Sequence, residues 1–290
     1  AGTKWQIATN LAVGAMDLAA ELEEKPEAVV AVKWFPEGLA ATWSLRPFPP
    51  PIAVIGHGRE FRLHGGNPAK WLLQKYLLRQ FSLAFAVSRW TAEELAKAGV
   101  RQSRIHVVHN GMRPEAFATA GDVEGLRRSL GIGEEPVLLT TGRLVERKGH
   151  ADVIRLLPRV TEQVGPVAYV IVGSGPMEGE LRALVDSLGL GSLVRFAGSV
   201  SEADLPTYYH LCDVFVMPTR NLRGDPLEGF GIVYLEANAA GRPVVATDCG
   251  GVRDAVEDGV SGLLVPPEDD EALVEAMVRL LRDRELARKL

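Results

Sequence analysis

The sequence predicts an α/β protein built as two doubly wound, Rossmann-like domains facing a cleft. Short apolar runs alternate with longer amphipathic stretches along the chain, the pattern of parallel strands covered by helices. A length of 290 residues suits two domains of ordinary size. The alternation breaks at His109-Asn110-Gly111-Met112-Arg113-Pro114, where Asn-Gly and Pro mark a turn. That break sets an N-terminal domain at residues 1–113 and a C-terminal domain at 114–290.

Ala28–Val32, Ile52–Ile55, Ala84–Val87 and Ile105–Val108 are the strands expected of the first domain. Between the second and third, Pro68–Arg79 mixes cations with Trp71 and leucines and reads as an amphipathic helix. Thr91–Ala98 is the next helix, with Thr91 and Glu94 read as a capping box. Residues 115–135 read as a polar helix and connector. The second domain then supplies Val137–Thr140, Val167–Val172, Val214–Met217 and Val244–Ala246, with a further short strand closed by Phe196-Ala197-Gly198-Ser199-Val200. Its helices are Met177–Leu188, Ala203–Leu211 and Ile232–Ala240. Glu268-Asp269-Asp270 opens one more amphipathic helix; acids there suit the positive end of the dipole and read as a cap rather than a metal motif. Repeated βα units of this kind cross over right-handedly.

Composition narrows the class. Hydrophobic residues make up 47% and charged residues 24% of the chain, ordinary for a globular enzyme. No apolar run approaches the length of a membrane span, and the start lacks a secretory leader pattern. Cys212 and Cys249 have no metal-ligand spacing and suit a reducing compartment, so the expected location is cytoplasmic. The net charge of −5 is uneven: residues 57–113 hold ten Lys and Arg against three Glu, a local charge of +7. Within that region the basic helix 68–80 is a candidate for peripheral contact with the anionic inner face of a membrane. A packed helix with a wet basic face is the plainer reading. Nucleic acid is not an expected partner, because the chain is acidic overall and lacks a recognition motif.

The most informative run is Pro226-Leu227-Glu228-Gly229-Phe230-Gly231-Ile232-Val233-Tyr234-Leu235-Glu236-Ala237. Eight helical residues rise about 12 Å, a suitable length for gripping both ends of a sugar-diphosphate-nucleoside. Gly229 and Gly231 let backbone approach a ligand closely, and a helix starting at Ile232 aims free N–H groups at a diphosphate. The spacing alone also fits two solvated glutamates on a surface helix. In open α/β sheets ligands bind beyond the carboxyl ends of strands. Gly142-Arg143-Leu144-Val145-Glu146-Arg147-Lys148-Gly149 lies at such an end. Its Arg143 and Lys148 are candidates to bind a diphosphate and meet the charge that builds as it leaves. Gly173-Ser174-Gly175-Pro176 allows close approach to a nucleoside, and the Val200 backbone is a candidate partner for a base edge; both also suit plain turns. His57, in Gly56-His57-Gly58-Arg59, is the first domain's candidate for a sugar hydroxyl or the reacting centre. There is no P-loop, no Gly-x-Gly-x-x-Gly fingerprint after the first strand and no Gly-x-Ser-x-Gly elbow.

Together, Gly142-Arg143 through Lys148-Gly149, Gly173-Ser174-Gly175-Pro176, Glu228-Gly229-Phe230-Gly231 through Glu236-Ala237, Gly241-Arg242-Pro243-Val244-Val245-Ala246 and Gly250-Gly251 through Gly259-Val260-Ser261-Gly262-Leu263-Leu264-Val265 resemble the retaining family-4 glycosyltransferases of the GT-B fold. The match runs in order across most of residues 137–280. It is thinner before that, at His57-Gly58, Val87-Ser88 and Asn110-Gly111. The resemblance implies transfer of a hexose, mannose or glucose, from a GDP-sugar or UDP-sugar to a glycan or lipid-linked acceptor hydroxyl. It implies retained anomeric configuration and no required cofactor or metal. It also implies Arg143 and Lys148 on the diphosphate, Glu228 on sugar hydroxyls, Glu236 on the ribose and His57 beside the transferred sugar. Backbone N–H groups around Phe230, Gly231 and Ile232 would face the phosphates and sugar, with Gly142, Gly173, Val200, Gly229 and Val233 completing the donor side. Met217-Pro218-Thr219-Arg220 and the Gly231–Glu236 run look most like bacterial mannosyltransferases, including those acting on phosphatidylinositol, which favours GDP-mannose. The family begins with a strand, a glycine-rich turn and a helix. No such strand–turn–helix unit is read in residues 1–56, Ala1–Asn10 reads as irregular, and the first domain is therefore expected to be truncated. Two other readings stay open: a nucleotide-sugar-binding fragment without turnover, and a GT-B nucleotide-sugar epimerase.

Overall fold

The computed structural model describes residues 26–44, 50–58, 68–221 and 228–290. The chain parts into two compact units, Ala1–Asn110 and Gly111–Leu290, whereas the sequence reading cut it between residues 113 and 114. In the first unit, β1 (Val29–Ala31), β2 (Ile52–Gly56), β3 (Leu83–Ala86) and β4 (Ile105–Val107) form a parallel sheet in chain order. Its helices are α1 (Glu37–Ser44), α2 (Pro68–Gln80) and α3 (Arg89–Ala98). Trp34, Ile52, Val54, Leu77, Phe81 and Leu95 pack its core.

Two expectations are corrected here. Residues 29–44 form the expected strand, then a turn and a helix that the sequence did not signal; the turn, residues 32–36, contains no glycine, so the glycine-rich turn is absent as read. The expectation for Ala1–Asn10 lies outside the described residues. The cap of α3 is Ser88, not Thr91: its hydroxyl accepts the Thr91 amide at 3.0 Å. Thr91 stands at the third helical position, and Gly99 ends the helix in a left-handed conformation, φ +108°.

The second unit holds α4 (Val123–Ser129), β5 (Val137–Thr141), α5 (His150–Val164), β6 (Ala168–Val172), α6 (Glu178–Ser187), β7 (Val194–Gly198), α7 (Leu205–Leu211) and β8 (Val214–Met217). Then come α8 (Ile232–Ala239), β9 (Val244–Thr247), β10 (Leu263–Val265), α9 (Asp270–Arg282) and α10 (Arg284–Lys289). The sheet order is β7-β6-β5-β8-β9-β10, all parallel. Numbered within the unit this is 3-2-1-4-5-6, the dinucleotide-fold order, whose direction reverses between β5 and β8. β5, β6, β8 and β9 are buried along their whole length, as strands covered on both faces must be. Ile154, Leu157 and Val160 of α5 join Leu138, Tyr169 and Ile171 of the sheet and Leu273 and Met277 of α9 in one core. Each such side chain contributes about 1.5–3 kcal/mol of burial. That core fixes the strand ends at the reversal point. Among the described residues no helix is long and apolar enough to cross a membrane.

Candidate functional site

The reversal between β5 and β8 leaves a crevice at their carboxyl ends, and the loops there carry the charged candidates. After β5 the chain turns at Gly142 (φ +139°), passes Arg143, and closes a short 3-10 turn over Glu146–Lys148. Gly149 (φ +72°) ends that turn, and a Cβ on it would collide with the Pro218 carbonyl beyond β8. Glycine is required there on both counts. The Arg220 amide donates to the Arg147 carbonyl at 2.8 Å, so the two loops are tied across the crevice.

Lys148 is 8% exposed and donates to Glu228 Oε2 at 2.7 Å. Arg147 donates to the same oxygen at 3.1 Å. Burial pushes the Glu228 carboxyl up, but the charges and hydrogen bonds of Lys148 and Arg147 outweigh it and hold the group below its ordinary value. Among the described residues Glu228 Oε1 accepts no bond. The Glu228 carbonyl accepts the Gly251 amide at 2.8 Å. Gly231 (φ +97°) then opens α8, and a Cβ there would strike the Tyr234 ring. The amides of Ile232 and Val233 begin α8 and have no acceptor among the described residues, as the first turn of a helix requires.

Glu236 lies about one turn along α8, in a different setting. Tyr209 donates to its Oε2 at 2.6 Å, and Thr141, the last residue of β5, lies 2.7 Å from the same phenol oxygen. Burial raises the Glu236 carboxyl above its ordinary value; the Tyr209 bond offsets this only in part.

The structure thus joins Lys148 to Glu228 and sets Glu236 at the end of β5, within one unit. Arg143 is exposed and pairs with no described residue; Arg147 occupies the neighbouring position on Glu228 that spacing alone did not single out. Gly173 makes its close approach to the protein's own backbone: a Cβ there would meet the Gly142 carbonyl, and its amide donates to Gly198 at 2.7 Å. The Leu144 amide likewise donates to Ser174 at 3.0 Å. Val200 is partly buried two residues beyond β7, Gly229 is partly buried and Phe230 is buried. His57 is partly buried at the end of β2 in the other unit. Tyr209 was not legible, because nothing in the α7 run Leu205–Leu211 marks one of its two adjacent tyrosines and it lies far from Glu236 in sequence.

Two cavities flank this edge on other residues. One, of about 490 Å³, takes in Glu146, His150, Arg155, Met177, Glu180 and Arg220. The other, of about 290 Å³, shares Arg155 and Arg220. Glu228 and Glu236 line neither. His150 is buried with both ring nitrogens unbonded among the described residues; burial first, then the nearby Lys148 charge, lowers it to about 4, so the ring is neutral.

Comparison with known proteins gives this arrangement a family. The glycosyl transferases group 1 family matches residues 122–290, and Glycosyltransferase Family 4 matches residues 8–116. The chain belongs to the glycosyl transferases group 1 family. The GDP-mannose-dependent alpha-(1-6)-phosphatidylinositol monomannoside mannosyltransferase of Mycolicibacterium smegmatis is 37% identical over 199 residues, covering 68% of this chain and 52% of that protein. Its counterpart in Mycobacterium tuberculosis H37Rv is 35% identical over 227 residues, covering 78% and 56%. The chain spans about half the length of these curated relatives. Anabaena HepE, solved in complex with UDP, superposes with a TM-score of 0.81 at 24% identity, covering 98% of this chain and 74% of HepE. The motif resemblance is met: this is a GT-B, family-4-like chain similar to bacterial mannosyltransferases.

Proposed function

We propose that this glycosyltransferase moves a hexose, mannose before glucose, from a nucleoside-diphosphate sugar to an acceptor hydroxyl with its configuration retained. The observation that carries this is the Lys148–Arg147–Glu228 cluster beside the start of α8, at the β5/β8 reversal. Lys148 and Arg147 supply positive charge where a diphosphate departs, with the exposed Arg143 free to approach from the rim. The amides of Ile232 and Val233 offer an anion a ready cradle. Glu228, fixed on Oε2 by two cations, keeps Oε1 for sugar hydroxyls, and Glu236 takes the ribose. These groups meet the leaving charge with side chains and backbone, so the reading calls on no metal or cofactor. The sugar would leave and the acceptor attack on one face through an ion-pair-like state. The mycobacterial relatives favour GDP-mannose as donor; UDP-sugars fit the same groups. His57 is assigned to the reacting sugar by family resemblance alone.

A glycan or lipid-linked acceptor follows the same relatives. Trp71, Leu72 and Tyr76 are exposed on α2 beside Lys75, whose ammonium lies 4.0 Å from the Trp71 ring centroid, and the exposed Arg79. This combination supports peripheral contact with an anionic bilayer. A thermal-shift panel of GDP-, UDP- and ADP-sugars tests the donor reading. One class should raise the melting temperature by several degrees, and Glu228→Ala should abolish sugar transfer. No shift with any of them would contradict the reading; binding without turnover would leave a nucleotide-sugar-binding module, and an epimerised free donor an epimerase.

A further inference from the structure

We infer that Tyr209, with Thr141 behind it, is a positioning residue for Glu236 and so sets how strongly this chain tells a ribose from a ribose lacking its hydroxyls. The inference rests on the donor reading above. Its basis is a one-way chain of hydrogen bonds. A phenol has one proton, and Tyr209 gives it to Glu236 Oε2 at 2.6 Å. The contact of 2.7 Å between Tyr209 and Thr141 therefore has the threonine hydroxyl donating. Such a chain polarises each bond in turn.

The whole relay is held rigidly. Tyr209 is fully buried and Thr141 is 3% exposed. The Tyr209 ring stands edge-on to Phe117 at 5.5 Å and lies 5.7 Å from Phe215. Phe117 is itself bonded through its carbonyl to the His210 ring at 2.8 Å, and Arg242 donates to the His210 carbonyl at 2.8 Å. Neither Thr141 nor Phe215 can shift without breaking β5 or β8. With Oε2 claimed by the phenol, Glu236 presents Oε1 in one orientation. A carboxylate oxygen held in this way can accept from both hydroxyls of a vicinal diol. A freely rotating one would lose part of that advantage to entropy.

The experiment uses Tyr209→Phe, which keeps the ring and removes the proton, and Thr141→Val, which removes the second donor while Tyr209 stays. Calorimetry would compare GDP and UDP with their 2′,3′-dideoxy analogues on wild type and both variants. The wild type should prefer the ribonucleotide. Tyr209→Phe should weaken that ribonucleotide by about fivefold to tenfold and leave the dideoxy analogue unchanged, and Thr141→Val should do the same by a smaller factor. A general packing defect would weaken both nucleotides alike and would overturn the inference. So would a wild-type preference retained in full by both variants, which leaves the donor reading intact. If wild type binds ribo and dideoxy nucleotides equally, the ribose role of Glu236 falls and the inference with it. If wild type binds no nucleotide at all, the donor reading itself fails.

Discussion

Glu228 and Glu236 stand eight residues apart on one loop-and-helix segment, yet their surroundings oppose each other. Glu228 is neutralised by an ammonium and a guanidinium on a single oxygen. Glu236 faces no described cation and leans on a phenol. The first carboxyl is held below its ordinary value, the second is raised. Both ends of the segment therefore carry acids, but one corner has positive charge to share with a diphosphate and the other has only hydrogen-bonding capacity to offer. That division suits a ligand charged in its middle and hydroxylated at its ends.

Removing the ammonium should disturb this contrast most. Lys148→Ala leaves Glu228 buried with Arg147 alone and should cost about 3 kcal/mol of unfolding free energy, along with most donor affinity. The unfolding is best followed by circular dichroism, because all five tryptophans lie in the first unit and would report on the wrong part. A loss below half a kilocalorie would mean the pair is not buried as described. Arg147→Ala should act in the same direction but cost less, about 1–2 kcal/mol, since the shorter Lys148 contact survives. If Arg147→Ala proved the more damaging of the two, the roles of the cations would be reversed.

The pH response should separate the corners further. Glu228 has a depressed folded value, so its stabilisation is present above its unfolded value and is lost as pH falls through the folded one. Glu236 has a raised folded value, so folding disfavours its charge at neutral pH, and that cost is relieved as pH falls through the folded value. Carboxyl carbon NMR, assigned with Glu228→Gln and Glu236→Gln, should find Glu236 protonating first on acidification. Nucleotide affinity should decline along with it, before the Glu228 corner titrates. Titration in the opposite order would remove the contrast.

Much of this was legible because it is local. Glycines at 142, 149 and 231 announce left-handed turns at strand ends and a helix start, and the buried apolar runs announce β5, β6, β8 and β9. Glu228, Lys148 and Glu236 stood out against those glycines. What was hidden is non-local. Arg147 differs from Arg143 only in which way a 3-10 turn carries it, and nothing in the spacing says that the turn will close on Glu228. Tyr209 meets Glu236 only because α7 and α8 are brought to β5 by the sheet order. The strand β10, three residues between Gly262 and Pro266, was matched as part of the Gly259–Val265 motif and not read as a strand, and the turn after β1 lacks the glycines that would have marked the helix behind it.

The most direct test of the two-corner account is calorimetric titration of GDP and GDP-mannose, or UDP and UDP-glucose if those bind better, into wild type, Glu228→Gln and Glu236→Gln. The account predicts that Glu236→Gln weakens bare nucleotide and sugar nucleotide by the same factor. It predicts that Glu228→Gln, which frees Lys148 and Arg147, leaves the bare nucleotide bound and erases the added affinity of the sugar. Equal weakening of both ligands by Glu228→Gln would contradict it.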